Sequence, residues 1–310
     1  MKIFNTLDPQ FKPSVVMMIY GEGGVGKTTF GASSPKAIIA DCENGAKYFG
    51  LRGIKADVAQ IEKWGDMREF IEYIKTHDVE TIVVDPIGEL MDKLKRYMVA
   101  MNDTKLVQKD GSPTMAGWGW LKKTMRDFIK VLRDTGKNVI LVAHLEESKD
   151  EDRIVKRPKI ETKISDDIVN MVDVVGYMTV VQDEGETKRI IIVDPGNDKY
   201  TAKDRTGQLG KIIEPDFSKI VKACQGTEKY AWSKAPAVAP AETKPAAPVA
   251  PAANVAPKAP VAPKTAETVQ TPPVATQPAE VAPEEVVEEM PEKPKTSVND
   301  AINKLKDFKK

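Results

Sequence analysis

A single glycine-rich stretch constrains the fold of this chain more than any other part of its sequence. An apolar run at 15–20 is followed by GEGGVGKTT, residues 21–29, which satisfies the pattern G-x-x-x-x-G-K-[ST]. The run predicts a strand buried on both faces, and a short helix that ends at Ser33-Ser34-Pro35 is expected after the loop. A strand, a glycine-rich turn and a helix in this order are typical of α/β folds in which a helix N-terminus binds phosphate.

The residue types in this loop predict a nucleoside triphosphate site. Glycines allow consecutive backbone N–H groups to turn inward toward an anion. Lys27 is expected to reach the β- and γ-phosphates, and the Thr28 hydroxyl is expected to bind Mg²⁺. The predicted nucleotide-binding residues are Gly21, Glu22, Gly23, Gly24, Val25, Gly26, Lys27, Thr28 and Thr29.

Strand and helix patterns alternate from residue 14 to about 230, as in a domain built on a parallel sheet. Further strands are expected at 36–43, 81–85 and 138–143, helices at 65–77, 87–101 and 118–136, and a hairpin formed by 174–181 and 189–195. A charged loop is expected at 146–163. The predicted fold class is therefore α/β, with a mostly parallel central sheet flanked by helices.

Acidic residues follow two of the predicted strands. Asp85 in TIVVDP ends one of them, at the carboxyl edge where ligands of open α/β sheets bind, so it is the candidate Mg²⁺ ligand beside Thr28. Asp41 and Glu43 lie two residues apart at the end of the second strand and would point to the same side of a continuing strand. A carboxylate there can orient or deprotonate an attacking water, which makes Glu43 the candidate general base.

Composition excludes several other classes. The 46 basic residues balance the 46 acidic ones, so a nucleic-acid-binding surface has to be local. The two cysteines, Cys42 and Cys224, lack metal-ligand spacing and suit a reducing cytosol. The N-terminus has no signal-peptide pattern, and the run at 15–20 is far below the roughly 20 apolar residues that span a bilayer. We expect a soluble protein, cytoplasmic in a bacterial host cell, without membrane contact.

The composition changes sharply after residue 230, where fourteen of the 22 prolines lie. We predict an ATPase domain at 1–230 and, because alanine and proline cannot form a packed core, a disordered linker with an acidic end at 231–292. Apolar residues at helical spacing predict a short amphipathic helix at 293–310. A short helix on a long tether is interpreted as a docking peptide, the alternative being a solvated tail.

The strings DCENG, TIVVDP, VILVAHLEE and YTAKDRTGQLGK resemble the RecA-like ATPase core. The resemblance spans roughly 14–215, and within this class the sequence most resembles phage-encoded RecA-like proteins of the Sak-type single-strand-annealing and recombination group. It implies a RecA-like P-loop NTPase fold with ATP and Mg²⁺ as cofactors. It also implies that Glu43 is the catalytic base, that His144 senses the γ-phosphate, and that Lys203 and Arg205 reach into the ATP site of a neighbouring subunit. With Lys27, these residues form the predicted catalytic set.

The resemblance also implies partners. RecA-like proteins self-associate into rings or filaments, and two loops that face the axis hold single-stranded DNA. The corresponding segments here are 102–120 and 146–163. Trp118 and Trp120 in the first segment would either stack on bases or pack against the start of the long helix. The tail is a candidate contact for a single-strand DNA-binding protein.

Taken together, these patterns predict a RecA-like ATPase that acts on single-stranded DNA in phage or prophage recombination, annealing or replication. The alternative is an ATP-switched loader or adaptor that binds a protein instead of DNA. A small-molecule P-loop kinase would need an arginine-bearing lid, for which no clear segment exists. A partition ATPase would carry a lysine where this chain has Glu22.

Overall fold

A computed structural model describes residue 5 and residues 12–150, 153–196 and 199–232 of the chain. The predicted linker at 231–292, apart from its first two residues, and the predicted helix at 293–310 lie outside the described residues. The predictions for the tail therefore remain predictions.

The described residues form an α/β domain. Its strands are β1 Val16–Gly21, β2 Ala37–Asp41, β3 Asp57–Gln60, β4 Thr81–Asp85, β5 Asn138–Asp150, β6 Arg153–Pro158, β7 Val174–Asp183, β8 Glu186–Ile192, β9 Lys203–Asp204 and β10 Ile212–Ile213. Its helices are α1 Lys27–Ala32, α2 Asp66–Thr76, α3 Ile87–Ala100, α4 Met115–Asp134, α5 Thr162–Met171 and α6 Phe217–Cys224. Two short 3₁₀ turns, Gly45–Tyr48 and Gly50–Arg52, connect β2 to β3.

The central sheet is mostly parallel, with the strand order β10-β8-β7-β1-β5-β4-β2-β3. Strand β1 lies between β5 and β7 and is parallel to both. Strands β8 and β10 are antiparallel additions at one edge, while β6 pairs with β5 and β9 pairs with β7 outside the main order. The predicted fold class, α/β with a mostly parallel central sheet flanked by helices, is confirmed.

Strand β1 is buried on both faces, as its continuous apolar run predicts. Met18 and Tyr20 belong to the apolar cluster that α2, α3, α4 and α5 cover on one face of the sheet. Met17 and Ile19 belong to the cluster that α1 and α6 cover on the other face. Complete burial of such a side chain contributes about 1.5–3 kcal/mol, so the two clusters hold β1, and the loop that follows it, in the centre of the fold.

The prediction of a charged loop at 146–163 is wrong for most of its length. Strand β5 continues to Asp150 and pairs with β6 as an antiparallel hairpin, and α5 begins at Thr162. The reason lies in the charges, because Glu146 is opposite Arg157 and Glu147 is opposite Lys156. Opposite charges directly across an antiparallel pair stabilise it.

The segment 102–120 is not a free loop either, because α4 begins at Met115 and not at Trp118. The Thr114 hydroxyl caps this helix and accepts a hydrogen bond from the Gly117 N–H at 3.0 Å. Trp120 is buried, and Trp118 packs against the same core beneath the Lys95 ammonium, which lies 5.4 Å from its ring centroid. Of the two interpretations of these tryptophans, packing at the start of the long helix is the one that the structure shows.

Two glycines of α4 should respond to alanine in opposite ways. A Cβ at Gly117 would lie 2.1 Å from the Leu106 carbonyl oxygen, whereas a Cβ at the exposed Gly119 would meet no atom within 4 Å. We expect Gly117→Ala to lower the free energy of unfolding by at least about 2 kcal/mol through overpacking. Gly119→Ala, the matched control, should raise it by about 0.5–1 kcal/mol because alanine favours the helix. Urea unfolding of both variants checks this, and equal effects of the two substitutions would contradict it.

None of the described helices is long and apolar enough to cross a lipid bilayer.

Candidate nucleotide-binding site

The carboxyl ends of four parallel strands meet at one edge of the sheet. Gly21 at the end of β1 is in register with His144 on β5, and Asp41 at the end of β2 is in register with Asp85 at the end of β4. A cavity of about 440 Å³ opens along this edge. From the loop it is lined by Gly23, Gly24, Gly26, Lys27, Thr28 and Thr29, and from the neighbouring elements by Glu43, Asp85 and His144. The fold thus brings these predicted residues together.

The loop conformation requires glycine at several positions. Gly24 and Gly26 have φ values of 76° and 109°, in the left-handed region that other residues avoid. A Cβ at Gly21 would lie 2.3 Å from the Met178 carbonyl oxygen on β7, so no side chain fits where the strand ends. Val25, between the last two glycines, is buried in the apolar cluster beneath the loop and anchors it to the sheet.

Lys27 is the first residue of α1 and lies almost completely buried beneath the loop. Its Nζ donates hydrogen bonds to the carbonyl oxygens of Gly21 at 2.9 Å and Glu22 at 2.7 Å. Burial lowers the pKa of this ammonium, and the negative charges of Asp85 and Glu43 oppose that shift. A cation is therefore held by two backbone carbonyls at the floor of the cavity.

Asp85 is a buried carboxylate with an unused acceptor. Its Oδ2 atom has no hydrogen-bond partner among the described residues. Burial raises the pKa of Asp85 to about 6, the nearby Thr28 hydroxyl opposes this shift, and the charge of Glu43 adds to it. A carboxylate oxygen and a hydroxyl next to a phosphate loop are the protein ligands that Mg²⁺ takes in P-loop sites.

Replacing Asp85 by asparagine should stabilise the protein at neutral pH. Because the folded-state pKa is raised from 3.8 to about 6, the favourable contribution of Asp85 is present at low pH and is lost as the pH rises through about 6. Asp85→Asn removes the cost of the buried charge, which is at most about 3 kcal/mol at pH 8. At pH 4 the gain should be much smaller.

The measurement is urea unfolding at pH 4 and pH 8 without nucleotide or divalent cations. Asp57→Asn on the exposed strand β3 is the matched control for the general effect of removing one carboxylate. An Asp85→Asn variant that is no more stable than the unmodified protein at pH 8 would contradict the assignment of a destabilising buried charge.

Glu43 is positioned by a turn and not by a strand. Strand β2 ends at Asp41, and the prediction that the two carboxylates project from one continuing strand is wrong. The Asp41 carboxylate accepts hydrogen bonds from the backbone N–H groups of Glu43 and Gly45, both at 3.1 Å, and of Ala46 at 2.9 Å. Asn44, with φ 61°, completes the turn. Asp41 thus determines where the Glu43 side chain starts.

Glu43 and His144 contact each other at the mouth of the cavity. His144 Nε2 donates a hydrogen bond to Glu43 Oε2 at 3.1 Å, and both side chains are between one third and two fifths exposed. The backbone carbonyl of His144 accepts a hydrogen bond from the Lys159 N–H at 2.8 Å, just after β6. Glu43 is therefore open to solvent and connected, through His144, to the β5–β6 hairpin.

Lys203 and Arg205 do not line the cavity of their own chain. Lys203 Nζ donates to the carbonyl oxygens of Val169 and Val172, both at 2.8 Å, and thus caps the carboxyl end of α5. Arg205 donates to Asn170 O at 2.7 Å. Strand β9 pairs with the start of β7, level with the amino end of β1, whereas the loop follows the carboxyl end. Their predicted role concerns a neighbouring subunit and remains a prediction.

Eight cavity residues were not predicted from the sequence: Phe30, Ser33, Gly45, Phe49, Arg52, Met178, Arg189 and Pro215. Arg52 lies in the second 3₁₀ turn, and Pro215 precedes α6. Arg189 lies on β8, which is two strands away from β1 in the sheet, with β7 between them. This strand order brings Arg189 to the loop that follows β1. The alternation of β8, with Arg189 on the same face as the buried Ile191, was the one local signal that this arginine faces the α1 side of the sheet.

A phosphate loop between a buried strand and a helix, with a buried lysine beneath it and a carboxylate on a nearby parallel strand, defines a P-loop NTPase. Residues 14–206 match a family model described as an AAA domain, AAA_24, and the chain belongs to this family. No curated protein matches the sequence. Among solved structures, the crystal structure of a KaiC-like protein from the archaeon Pyrococcus horikoshii OT3 is similar, with 14% identity and a TM-score of 0.35 over 58% of this chain and 78% of that chain.

Proposed function

We propose that this P-loop NTPase binds and hydrolyses ATP and acts on single-stranded DNA in phage or prophage recombination, annealing or replication. One observation carries the proposal: the Glu43 carboxylate contacts His144 at the mouth of the cavity that also holds Lys27, Thr28 and Asp85. A carboxylate that water can reach, next to a second polar group and a phosphate loop, is the arrangement needed for hydrolysis of a terminal phosphate.

The residues present suit ATP and Mg²⁺. The Oδ2 atom of Asp85, which has no hydrogen-bond partner within the described ranges, and the Thr28 hydroxyl are the groups that would hold the metal. The metal, when bound, would neutralise charge on the phosphates. Lys27, held by two carbonyls, is the cation for the β- and γ-phosphates, and the loop glycines expose the N–H groups around them.

Glu43 is assigned the role of catalytic base. Asp41 positions its backbone, and His144 orients its carboxylate, which leaves one oxygen to accept a proton from water. His144 touches both this carboxylate and the cavity, so a change at the terminal phosphate alters the hydrogen bond that His144 donates. His144 therefore acts as the sensor of the γ-phosphate.

The connection from His144 leads directly to the proposed DNA-binding element. Strand β5 pairs with β1 as far as His144 and, from Leu145 onward, pairs with β6 instead. The hairpin carries Arg153 and Arg157 on β6, and Ile154 near its tip is 61% exposed. Cations beside an apolar side chain suit a strand whose phosphates and bases are both accessible.

The proposal includes self-association into a ring or filament in which Lys203 and Arg205 of one subunit reach the ATP site of the next. Both cations lie at the opposite edge of the sheet from the loop, which is where a stacked neighbour would contribute its residues. The tail, which lies outside the described residues, would bind a single-strand DNA-binding protein.

One observation favours the second candidate, an ATP-switched loader or adaptor that binds a protein. The basic residues of the hairpin are opposed by acidic ones, with Lys156 3.7 Å from Glu147 and Arg157 opposite Glu146. A surface of balanced charge suits a protein partner as well as a nucleic acid.

Steady-state ATP hydrolysis, measured with and without a single-stranded oligonucleotide, distinguishes the DNA-dependent ATPase from the protein-binding adaptor. We expect DNA to increase the rate, and the double variant Arg153→Gln/Arg157→Gln to lose that increase while it keeps the basal rate. Lys55→Gln/Lys63→Gln, two exposed lysines that flank β3, is the matched control for the loss of two charges. Basal hydrolysis without stimulation, together with no DNA binding at low salt, would favour the adaptor.

A further inference from the structure

Arg189 lies directly on the phosphate loop although it is distant in sequence. Its Nε donates a hydrogen bond to the Val25 carbonyl oxygen at 3.0 Å. A Cβ placed on Gly26 would lie 3.1 Å from the same nitrogen and 3.4 Å from Arg189 Cδ. The arginine side chain therefore covers the last glycine of the loop, and the absence of a side chain at Gly26 leaves room for it.

The Arg189 guanidinium uses only part of its hydrogen-bond donors in the contact with the loop. Arginine carries five N–H donors, and the bond to Val25 uses one. Within the described part of the chain, the two Nη groups have no hydrogen-bond partner, and Arg189 lines the same cavity as Lys27. The guanidinium is thus tethered to the loop by one edge and leaves its other donors available at the phosphate site.

We propose that Arg189 is a second phosphate-binding cation of this site, supplied by the same chain. Its Nε fixes the guanidinium against the loop, and its Nη donors contact the phosphate chain of the nucleotide, a geometry that suits arginine better than lysine. The cavity also contains the carboxylates of Glu43 and Asp85, so a phosphate chain that enters it requires more positive charge than Lys27 provides.

This role differs from that assigned to Lys203 and Arg205. Those cations are hydrogen-bonded at the end of α5 and would serve a neighbour, whereas Arg189 belongs to the site of its own chain. An isolated subunit should therefore bind nucleotide with Arg189 in place. The inference rests on nucleotide binding by the P-loop and not on hydrolysis, so it can be tested without turnover.

The test is calorimetric binding of ATP, ADP and inorganic tripolyphosphate to the full chain in Mg²⁺-free buffer, where hydrolysis does not interfere. We expect Arg189→Gln to weaken all three by about ten- to a hundredfold, the range for a charged hydrogen-bonding group. Arg189→Lys, which keeps the positive charge, should lower the affinity for these ligands less than Arg189→Gln does. Lys188→Gln is the matched control, because Lys188 is the adjacent cation on β8 and pairs with Asp183 on the other face.

Three results would overturn the proposal. Unchanged ATP affinity in Arg189→Gln would exclude a phosphate contact. Equal losses in Arg189→Gln and Arg189→Lys would indicate that the side chain only supports the loop through its bond to Val25. Weaker binding of ATP with unchanged binding of tripolyphosphate would assign Arg189 to the base or sugar. These binding measurements depend neither on ATP hydrolysis nor on DNA. A protein that does not hydrolyse ATP, or that DNA does not stimulate, would therefore still give the same binding results.

Discussion

Glu43→Gln is expected to lower the rate of ATP hydrolysis by about 10²–10⁴-fold, the range that a general base contributes. Glutamine still accepts the hydrogen bond that His144 donates to Oε2, and Asp41 still holds the backbone of the turn, so the local geometry should persist. What is lost is a basic oxygen that takes a proton from water. Phosphate release at saturating ATP and Mg²⁺ measures the effect, and ATP affinity should change little.

Glu62→Gln is the matched control for this variant, because Glu62 is an exposed glutamate just after β3. It should hydrolyse ATP at the unmodified rate. A Glu43→Gln variant that retains a rate within a few-fold of the unmodified protein would remove Glu43 from the role of base, since general-base loss costs more than about 10²-fold.

Arg205→Ala is expected to reduce hydrolysis by about 10³-fold or more in the assembled protein, because a cation supplied from a neighbouring subunit contributes about 10³–10⁵ in rate. The lost side chain also removes a hydrogen bond to Asn170 and an ion pair with Asp173, so thermal stability has to be measured in parallel. Binding of ATP to isolated subunits should be unaffected, because Arg205 does not line its own cavity.

Mixing two inactive variants separates a neighbour's contribution from a structural one. An Arg205→Ala subunit retains Glu43, and a Glu43→Gln subunit retains Arg205. Where the two meet in one assembly, an intact Glu43 faces an intact Arg205, and activity should reappear. No recovery in mixed assemblies that demonstrably form would contradict the role of Arg205 as a residue supplied by a neighbour.

Much of the centre of the fold could be predicted because it depends on local patterns. The apolar run of β1, the loop glycines and the amphipathic spacing of α2 and α3 are each decided within about a dozen residues. The positions of Asp85 and His144 followed from the rule that parallel strands end at one edge of a sheet. The role of Lys27 was predicted from the pattern of the loop alone, without any information on contacts between distant segments.

The remaining parts depend on contacts between distant segments. The β5–β6 hairpin is stabilised by cross-strand charge pairs, and the same residues read singly resemble a solvated loop. Strand β3 is a mostly exposed edge strand without apolar alternation, so its pairing with β2 left no signal in the sequence. Arg189 reaches the loop only through the order of β8, β7 and β1, which no local pattern specifies.

We propose that the state of the nucleotide at Glu43 and His144 controls the binding of single-stranded DNA. The most direct measurement is the affinity of the full-length Glu43→Gln variant for a fluorescent single-stranded oligonucleotide, at one fixed salt concentration, with Mg²⁺ and either ATP or ADP. We predict tighter binding with ATP, because the terminal phosphate would change the hydrogen bond of His144 and thus the position of the hairpin that follows it. Equal affinity in the two nucleotide states, or no binding in either, would contradict this proposal.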